Sequence, residues 1–370
     1  MRVVNVPLGD RSYFIFIGSG ALSRLKTECS KITRGVRCAV ISDTNVAPRY
    51  CDRVMGLLRS AGFDPALLIV PAGETAKSLK TVQTCYDQLA AHRLERRSFI
   101  VALGGGVVGD LAGFVAATYL RGIGFVQVPT TLLAQVDSSA GGKVGVNLKA
   151  GKNLVGAFYQ PRFVLCDLDT LDTLPLREFR AGLAEVIKYG IIYDAALFGR
   201  LERDLPKILD RNRDVLSAVI ARCCAIKAEI VGKDETEGGL RAILNFGHTI
   251  GHAIEAISGY GKFLHGEAIS IGQVAAARLS AELLGLSSRD VDRIVLLFTR
   301  VGLPREIKLN AAQRARLFKA MKLDKKVSGG EIKFVLIKQI GRAEYGHDVS
   351  TSLLDRTLGP VSRITHHASL

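Results

Sequence analysis

Short apolar, β-rich runs alternate with segments of helical apolar spacing along the first half of the chain. CAVISD (38–43), ALLIVPAG (66–73), SFIVALGGG (98–106) and GFVQVPTT (124–131) predict buried strands, each stopping at an acid or at a Gly- or Thr-rich turn. Segments 77–92 and 107–118 between them predict helices. Strand, crossover helix and strand in succession predict a parallel sheet covered on both faces. Beyond about residue 172 the spacing turns helical, over 177–192, 213–233, 249–258, 267–284, 290–301 and 311–321. One β-like piece, EIKFVLI (331–337), stands apart. The expected division is an α/β domain over 1–174 and a mainly α-helical C-terminal domain over 175–370. We find no internal repeat and no low-complexity segment.

Composition narrows the class. Apolar residues make up 48% of the 370 positions, enough for a substantial core. Lys plus Arg outnumber Asp plus Glu by 50 to 35, a formal charge of +15, but no run of five or more basic residues occurs. Trp is absent and other aromatics are few, which argues against the stacking platforms of single-strand nucleic-acid binders. A small anionic substrate fits the charge better than nucleic acid or a membrane surface. The seven cysteines, an odd number without a CxxC, predict reduced thiols in a cytoplasmic protein. The N-terminal MRVVNVPLGD shows no signal-peptide core. The apolar stretch 98–120 contains five glycines and Asp110, and so predicts a buried strand, turn and helix, not a membrane span.

Several stretches carry chemistry. LGGGVVGD (103–110) follows a predicted strand and opens a predicted helix, an arrangement that brings backbone N–H groups and a helix N-terminus towards a pyrophosphate. This makes the first domain a candidate dinucleotide-binding core; a purely structural glycine turn is the alternative. Asp43 at a strand end could meet ribose hydroxyls or simply cap a turn. Glu74 and Lys77 could form an ordinary capping pair. Lys143 and Lys152 lie in Gly-rich stretches expected to be flexible, suited to closing on phosphate oxygens or merely solvated. In NFGHTIGHAIE, His248 and His252 are four apart with Glu255 three further on, and HGE adds His265. The glutamate of HExxH is missing, so the metalloprotease reading fails. One Glu plus two His would leave a catalytic zinc its open position, and Glu185 shares a helix face with Lys188. A buried Glu185–Lys188 pair and a core histidine at 252 are the alternatives.

Taken in order, GETAKS, LGGGVVGDLAGFVAATYLRGI, QVPTTLLAQVDSSAGGKVGVN, GKNLVGAFYQP, RAGLAEVIKYGII, LNFGHTIGHAIE, HGEAISIG and MKLDKK resemble the 3-dehydroquinate synthase family, within the sugar-phosphate cyclases. The resemblance implies a fold of that type: an α/β domain with a parallel-sheet dinucleotide-binding core, then a mainly α-helical domain. It implies a divalent metal, zinc or cobalt, on Glu185, His248 and His265. It implies NAD contacts at Asp43, Glu74, Lys77, Gly105, Gly106, Val107, Val108, Gly109, Asp110, Thr130, Thr131, Asp137, Lys143, Lys152, Thr170, Leu171, Asp172 and Thr173. The anionic substrate would be held by Arg121, Lys143, Asn153, Lys188, Lys227, Arg241, Asn245 and His252, with Lys326 of the DKK segment. Arg241, Asn245, His248 and His252 are spaced 4, 3 and 4, so a continuing helix would align them. Two departures stand out: Ala72 where an acid is expected, and Gln273 where HGEAISIG is usually followed by Met.

The implied activity converts 3-deoxy-D-arabino-heptulosonate 7-phosphate to 3-dehydroquinate and phosphate, by a homodimer that regenerates its NAD every cycle. Competing readings are another cyclase such as 2-deoxy-scyllo-inosose synthase, a glycerol dehydrogenase-like alcohol dehydrogenase, and a non-enzymatic nucleic-acid binder. Arg241 with Lys227 disfavours the first, whose substrate lacks a carboxylate.

Overall fold

The computed structural model describes residues 1–33, 35–259, 262–323, 327–328 and 331–359. The chain divides into two compact units, Met1–Gly182 with Asp210–Thr236, and Leu183–Leu209 with Glu237 onward.

The first unit begins β1 (Arg2–Val6), β2 (Tyr13–Gly18), α1 (Leu25–Ile32), β3 (Arg37–Asp43), α2 (Ala47–Ser60), β4 (Asp64–Val70) and α3 (Leu79–Ala91). It continues β5 (Phe99–Gly104), α4 (Gly106–Thr118), β6 (Gly124–Pro129), β7 (Lys143–Leu148), β8 (Gly151–Phe158) and β9 (Phe163–Asp167). Seven strands form one sheet in the order β1-β2-β9-β6-β5-β3-β4. Only β1 is antiparallel to its neighbour; the rest pair in parallel. The reason is visible in β5, FIVALG, every residue of which is buried. Ile100 and Ala102 enter a core with Leu111 and Val115 of α4 and Val82 and Leu89 of α3. Phe99, Val101 and Leu103 enter the opposite core with Leu25 of α1 and Val54 and Leu58 of α2. An unbroken apolar run is what a strand covered by helices on both faces requires.

Lys143 and Lys152 do not sit in flexible loops. They lie on β7 and β8, an antiparallel hairpin in which Lys143 pairs with Phe158 and Val146 with Val155. Val144 and Val146 alternate into the core that α4 covers, a period-two signal that the glycine count obscured.

Helix α5 (Leu176–Ile192) follows, then α6 (Ala195–Leu209) and α7 (Arg213–Lys233). The spacing analysis did not anticipate α6, which buries Leu197, Phe198, Leu201, Leu205 and Ile208. Although α7 falls in the helical half of the sequence, it groups with the first unit, packing on β1 and β2.

The second unit adds α8 (His248–Ser258), α9 (His265–Leu284), α10 (Ser288–Val301) and α11 (Ala311–Leu323). It then forms β10 (Val327–Ser328), β11 (Glu331–Gln339), β12 (Arg342–Asp348) and α12 (Thr351–Thr357). The β-like piece expected to stand apart is thus the middle of a three-stranded antiparallel sheet. Ile250 and Ile254 of α8, Ile271 and Leu279 of α9, Leu317 and Met321 of α11, and Phe334 and Leu336 of β11 share one core.

The helix expected to continue from Arg241 through His252 is broken. Leu240–Asn245 is a 3-10 turn, and α8 starts only at His248 after Gly247 adopts φ 77. A Cβ on Gly247 would lie 2.5 Å from the Gln273 nitrogen, and one on Gly272 would lie 2.0 Å from the Gly247 oxygen. The crossing of α8 and α9 is therefore closer than any side chain allows, and the backbone turns left-handed to achieve it. Among the described residues no helix is long and apolar enough to cross a membrane; the stretch 98–120 forms β5, α4 and the turn after it.

Candidate active site

Three elements of the second unit bring Glu185, His248 and His265 together. Glu185 lies inside α5, where an entirely buried face holds its carboxylate away from water. His248 and His265 are the first residues of α8 and α9. Nε2 of His248 is 3.4 Å and Nε2 of His265 is 3.5 Å from Oε1 of Glu185. The three offer one ligand atom each within a small cluster. Two ligands held about 2.1 Å from a tetrahedral ion lie about 3.4 Å apart, so the spacing suits a divalent metal. Oε1 of Glu185 is buried without a hydrogen-bond partner. Both histidines also engage an acceptor through Nδ1, His248 with the Phe246 carbonyl and His265 with Glu255, each at 3.2 Å. With Nδ1–H committed in each case, a neutral ring offers its Nε2 lone pair on the side of Glu185, where an ion would displace any proton that the carboxylate holds there.

Burial by itself would push the Glu185 carboxyl up, but Lys188 and the histidines hold it well below the usual carboxylate range. Lys188, one turn along α5, forms a buried ion pair with Oε2. Burial lowers His248 to about 3. For His265 burial also works downwards, and the bonds to Glu185 and Glu255 outweigh it, raising the group to about 10. His252 completes a histidine cluster, its ring centroid 5.2 Å from that of His248 and 5.9 Å from that of His265. Arg241 is buried, and Nδ2 of Asn245 donates to Glu237 at 2.7 Å. Lys326 lies outside the described residues.

The first unit gathers a second group. Lys77, only 5% exposed, pairs with Asp110 and donates to Oδ1 of Asn153 at 2.5 Å. Asn147 donates to Glu74 at 2.8 Å and accepts from the Asn153 backbone at 2.8 Å, closing the network. Burial raises the Asp110 carboxyl despite Lys77. The capping-pair alternative for Glu74 and Lys77 does not hold, because Ser78 caps α3. Lys227 of α7 donates to both the carboxylate and the backbone oxygen of Asp137, at 2.7 Å each.

At the glycine turn, Gly105 precedes α4 in an extended conformation and Gly106 begins the helix, followed by Val107, Val108 and Gly109. The Thr130 N–H donates to the Gly104 carbonyl at 2.9 Å, and the buried Thr130 hydroxyl has no hydrogen-bond partner. An orphaned hydroxyl beside a helix N-terminus is consistent with a ligand that carries oxygens there. Thr131 accepts from the Ala134 N–H. Asp43 accepts from the N–H groups of Asn45 and Val46, a turn-capping role. In the segment that closes the unit, Thr170 and Leu171 are buried, Thr173 bonds Tyr50, and Asp172 pairs with Arg213. Arg121, at φ 68, and Lys143 are exposed, and Lys152 is half-buried. Sequence reasoning gave no role to Asn147, Glu237 or Glu255. Only Glu255 left a usable signal, one helical turn beyond His252.

Comparisons with known proteins give the family. The 3-dehydroquinate synthase N-terminal family model matches residues 67–181, and the C-terminal model matches residues 182–327. The 3-dehydroquinate synthase of Desulforamulus reducens is 50% identical over 349 residues, 94% of this chain and 97% of its own length. A 2-deoxy-scyllo-inosose synthase solved with carbaglucose-6-phosphate, NAD+ and Co2+ superposes with a TM-score of 0.88 at 28% identity, over 96% of this chain and 99% of that one. A 2-epi-5-epi-valiolone synthase from Streptomyces hygroscopicus, solved with NAD+ and Zn2+, gives 0.85 at 26% identity, over 95% and 97%. The chain belongs to the 3-dehydroquinate synthase family.

Proposed function

We propose that the chain converts 3-deoxy-D-arabino-heptulosonate 7-phosphate to 3-dehydroquinate and phosphate, with NAD and one zinc or cobalt ion bound. The observation that carries this reading at the site is the buried, donorless Oε1 of Glu185 facing two imidazole nitrogens. When bound, NAD takes up and returns one hydride and the metal polarises neighbouring sugar hydroxyls, so that oxidation, phosphate elimination, reduction and aldol closure leave no net redox change.

The chain's own residues then divide the work. Glu185, His248 and His265 hold the metal, and Lys188 keeps Glu185 ionised. Arg241 and Lys227 take the carboxylate; His252, Lys143 and Arg121 take the phosphate. Asn153 and Asn245 supply neutral amides to the substrate, and Lys326 completes the cationic set. Backbone N–H groups at Gly105, Gly106 and Val107 receive the pyrophosphate of NAD, with Val108, Gly109 and Asp110 in the following turn. Asp43, Glu74, Lys77, Thr130, Thr131, Asp137, Lys152 and the segment Thr170, Leu171, Asp172 and Thr173 complete the nucleotide contacts. In this reading the α/β domain over 1–174 binds NAD and lends Arg121, Lys143 and Asn153 to the substrate, the helical domain over 175–370 supplies the metal ligands and the remaining substrate contacts, and the protein works as a homodimer.

The test is an incubation of the purified protein with the heptulosonate phosphate, NAD and zinc or cobalt. Phosphate release without net NADH is the expected outcome. Steady NADH accumulation would point to a dehydrogenase, and absence of phosphate release would sink the reading.

A further inference from the structure

The two histidines beside Glu185 are oriented by different devices. Nδ1 of His248 meets a backbone carbonyl, that of Phe246, which the left-handed turn at Gly247 places there. Nδ1 of His265 meets a side chain, Oε2 of Glu255, at 3.2 Å. Glu255 lies on α8, two turns beyond His248, and its side chain is only 9% exposed.

A neutral imidazole carries one N–H and one lone pair. The buried Oε1 of Glu185, which has no hydrogen-bond partner, can draw an N–H as well as a metal. Left alone, His265 would turn its Nε2–H to Glu185 and cease to be a ligand. An acceptor at Nδ1 settles that choice for the neutral ring that binds an ion: its N–H goes to Glu255, and the Nε2 lone pair is offered to the ion that replaces any proton held towards Glu185. We propose that Glu255 is a positioning residue for the metal centre, fixing His265 in the tautomer whose Nε2 binds the ion. The inference rests on the metal reading given above and adds a residue to it.

The geometry also contains a rival. His252, Glu255 and His265 form a second group of potential ligands that shares His265. In that arrangement Glu255 would itself bind the metal. The Glu185 group is favoured because its carboxylate is fully buried and its Oε1 lacks a donor, whereas Glu255 already has the His265 ring.

The experiment measures cobalt affinity of the chelator-stripped full-length protein by competition with a chromophoric chelator, together with the visible absorption of bound cobalt. Wild type, Glu255→Ala, Glu255→Gln and Glu185→Ala are compared, with the melting temperature of each metal-free protein as a check on folding. We expect Glu255→Ala to weaken cobalt binding roughly 10- to 100-fold. Glu255→Gln, whose amide oxygen still accepts the Nδ1–H, should stay within roughly fivefold of wild type with the same spectrum. A merely structural role would lower the melting temperature and leave affinity and spectrum unchanged, which overturns the proposal. Equal losses in Glu255→Ala and Glu255→Gln, with a changed spectrum and with cobalt retained by Glu185→Ala, would make Glu255 a ligand and also overturn it. If Glu255→Ala does not fold, Glu255→Asp replaces it: its shortened carboxylate should weaken cobalt binding, and an affinity equal to wild type overturns the proposal. A wild-type protein that binds no cobalt would instead defeat the metal reading itself.

Discussion

The cluster around Glu185 and the network around Lys77 are both polar and largely buried, yet they are balanced differently. At Lys77 the charges are already paired: Asp110 and Asn153 take the ammonium, and Asn147 joins Glu74 to Asn153. At Glu185 one oxygen meets Lys188 while the other has no donor, and two imidazoles present themselves to it. A ligand arriving at Lys77 must exchange existing partners, so the net gain is small. A cation arriving between Glu185 and the histidines fills an unmet demand, so the gain is large.

The largest effect that would break this contrast comes from Glu185. Glu185→Ala removes the buried carboxylate that pairs with Lys188, at a cost of about 3–5 kcal/mol in stability. Phosphate release should fall roughly a thousandfold with loss of the several kcal/mol a metal supplies to such chemistry. Metal content by atomic absorption and thermal melting check both halves; a variant that keeps its metal defeats the ligand assignment.

Lys77→Ala sharpens the other side. Removing one charge-assisted partner from Asp110 should raise the KM for NAD roughly tenfold and change kcat by less than about threefold. A fall in kcat with an unchanged KM would show that Lys77 acts outside nucleotide binding.

The smallest effect belongs to Gln273, where the family usually has Met. Its Nε2 donates to the Ala184 carbonyl at 3.1 Å, next to Glu185, while its buried Oε1 lacks a partner. Gln273→Met gives up a bond worth about 1 kcal/mol and removes an unsatisfied oxygen costing about 1–3 kcal/mol. Stability should hold or rise by about 1 kcal/mol, with phosphate release within about twofold. A loss of more than about 2 kcal/mol in denaturant unfolding would mean that the amide positions α5 more firmly than its hydrogen bonds suggest.

Much of the first unit was legible from pattern alone. The continuous apolar run of β5, the glycines after it and the helical period of α4 are local properties, encoded residue by residue within one element. The same holds for the chemistry of the histidine segment: a Glu and two His are metal-binding types wherever they stand. The hairpin β7–β8 was misread because its valines alternate among glycines, and α7 was assigned to the helical half because spacing says how a segment coils and nothing about which sheet it covers.

By itself, the sequence determined the parallel α/β core, the helical second half, the family, and which side chains could serve as ligands. Tertiary structure alone decided that the helix breaks at Gly247, that α7 returns to the first unit, and which nitrogen of each histidine faces Glu185. Those outcomes depend on atoms brought together by packing: the backbone of α9 against Gly247, β1 and β2 under α7, and the carboxylate of Glu255 against His265. Local spacing carries no information about such contacts, because they exist only once the elements have packed.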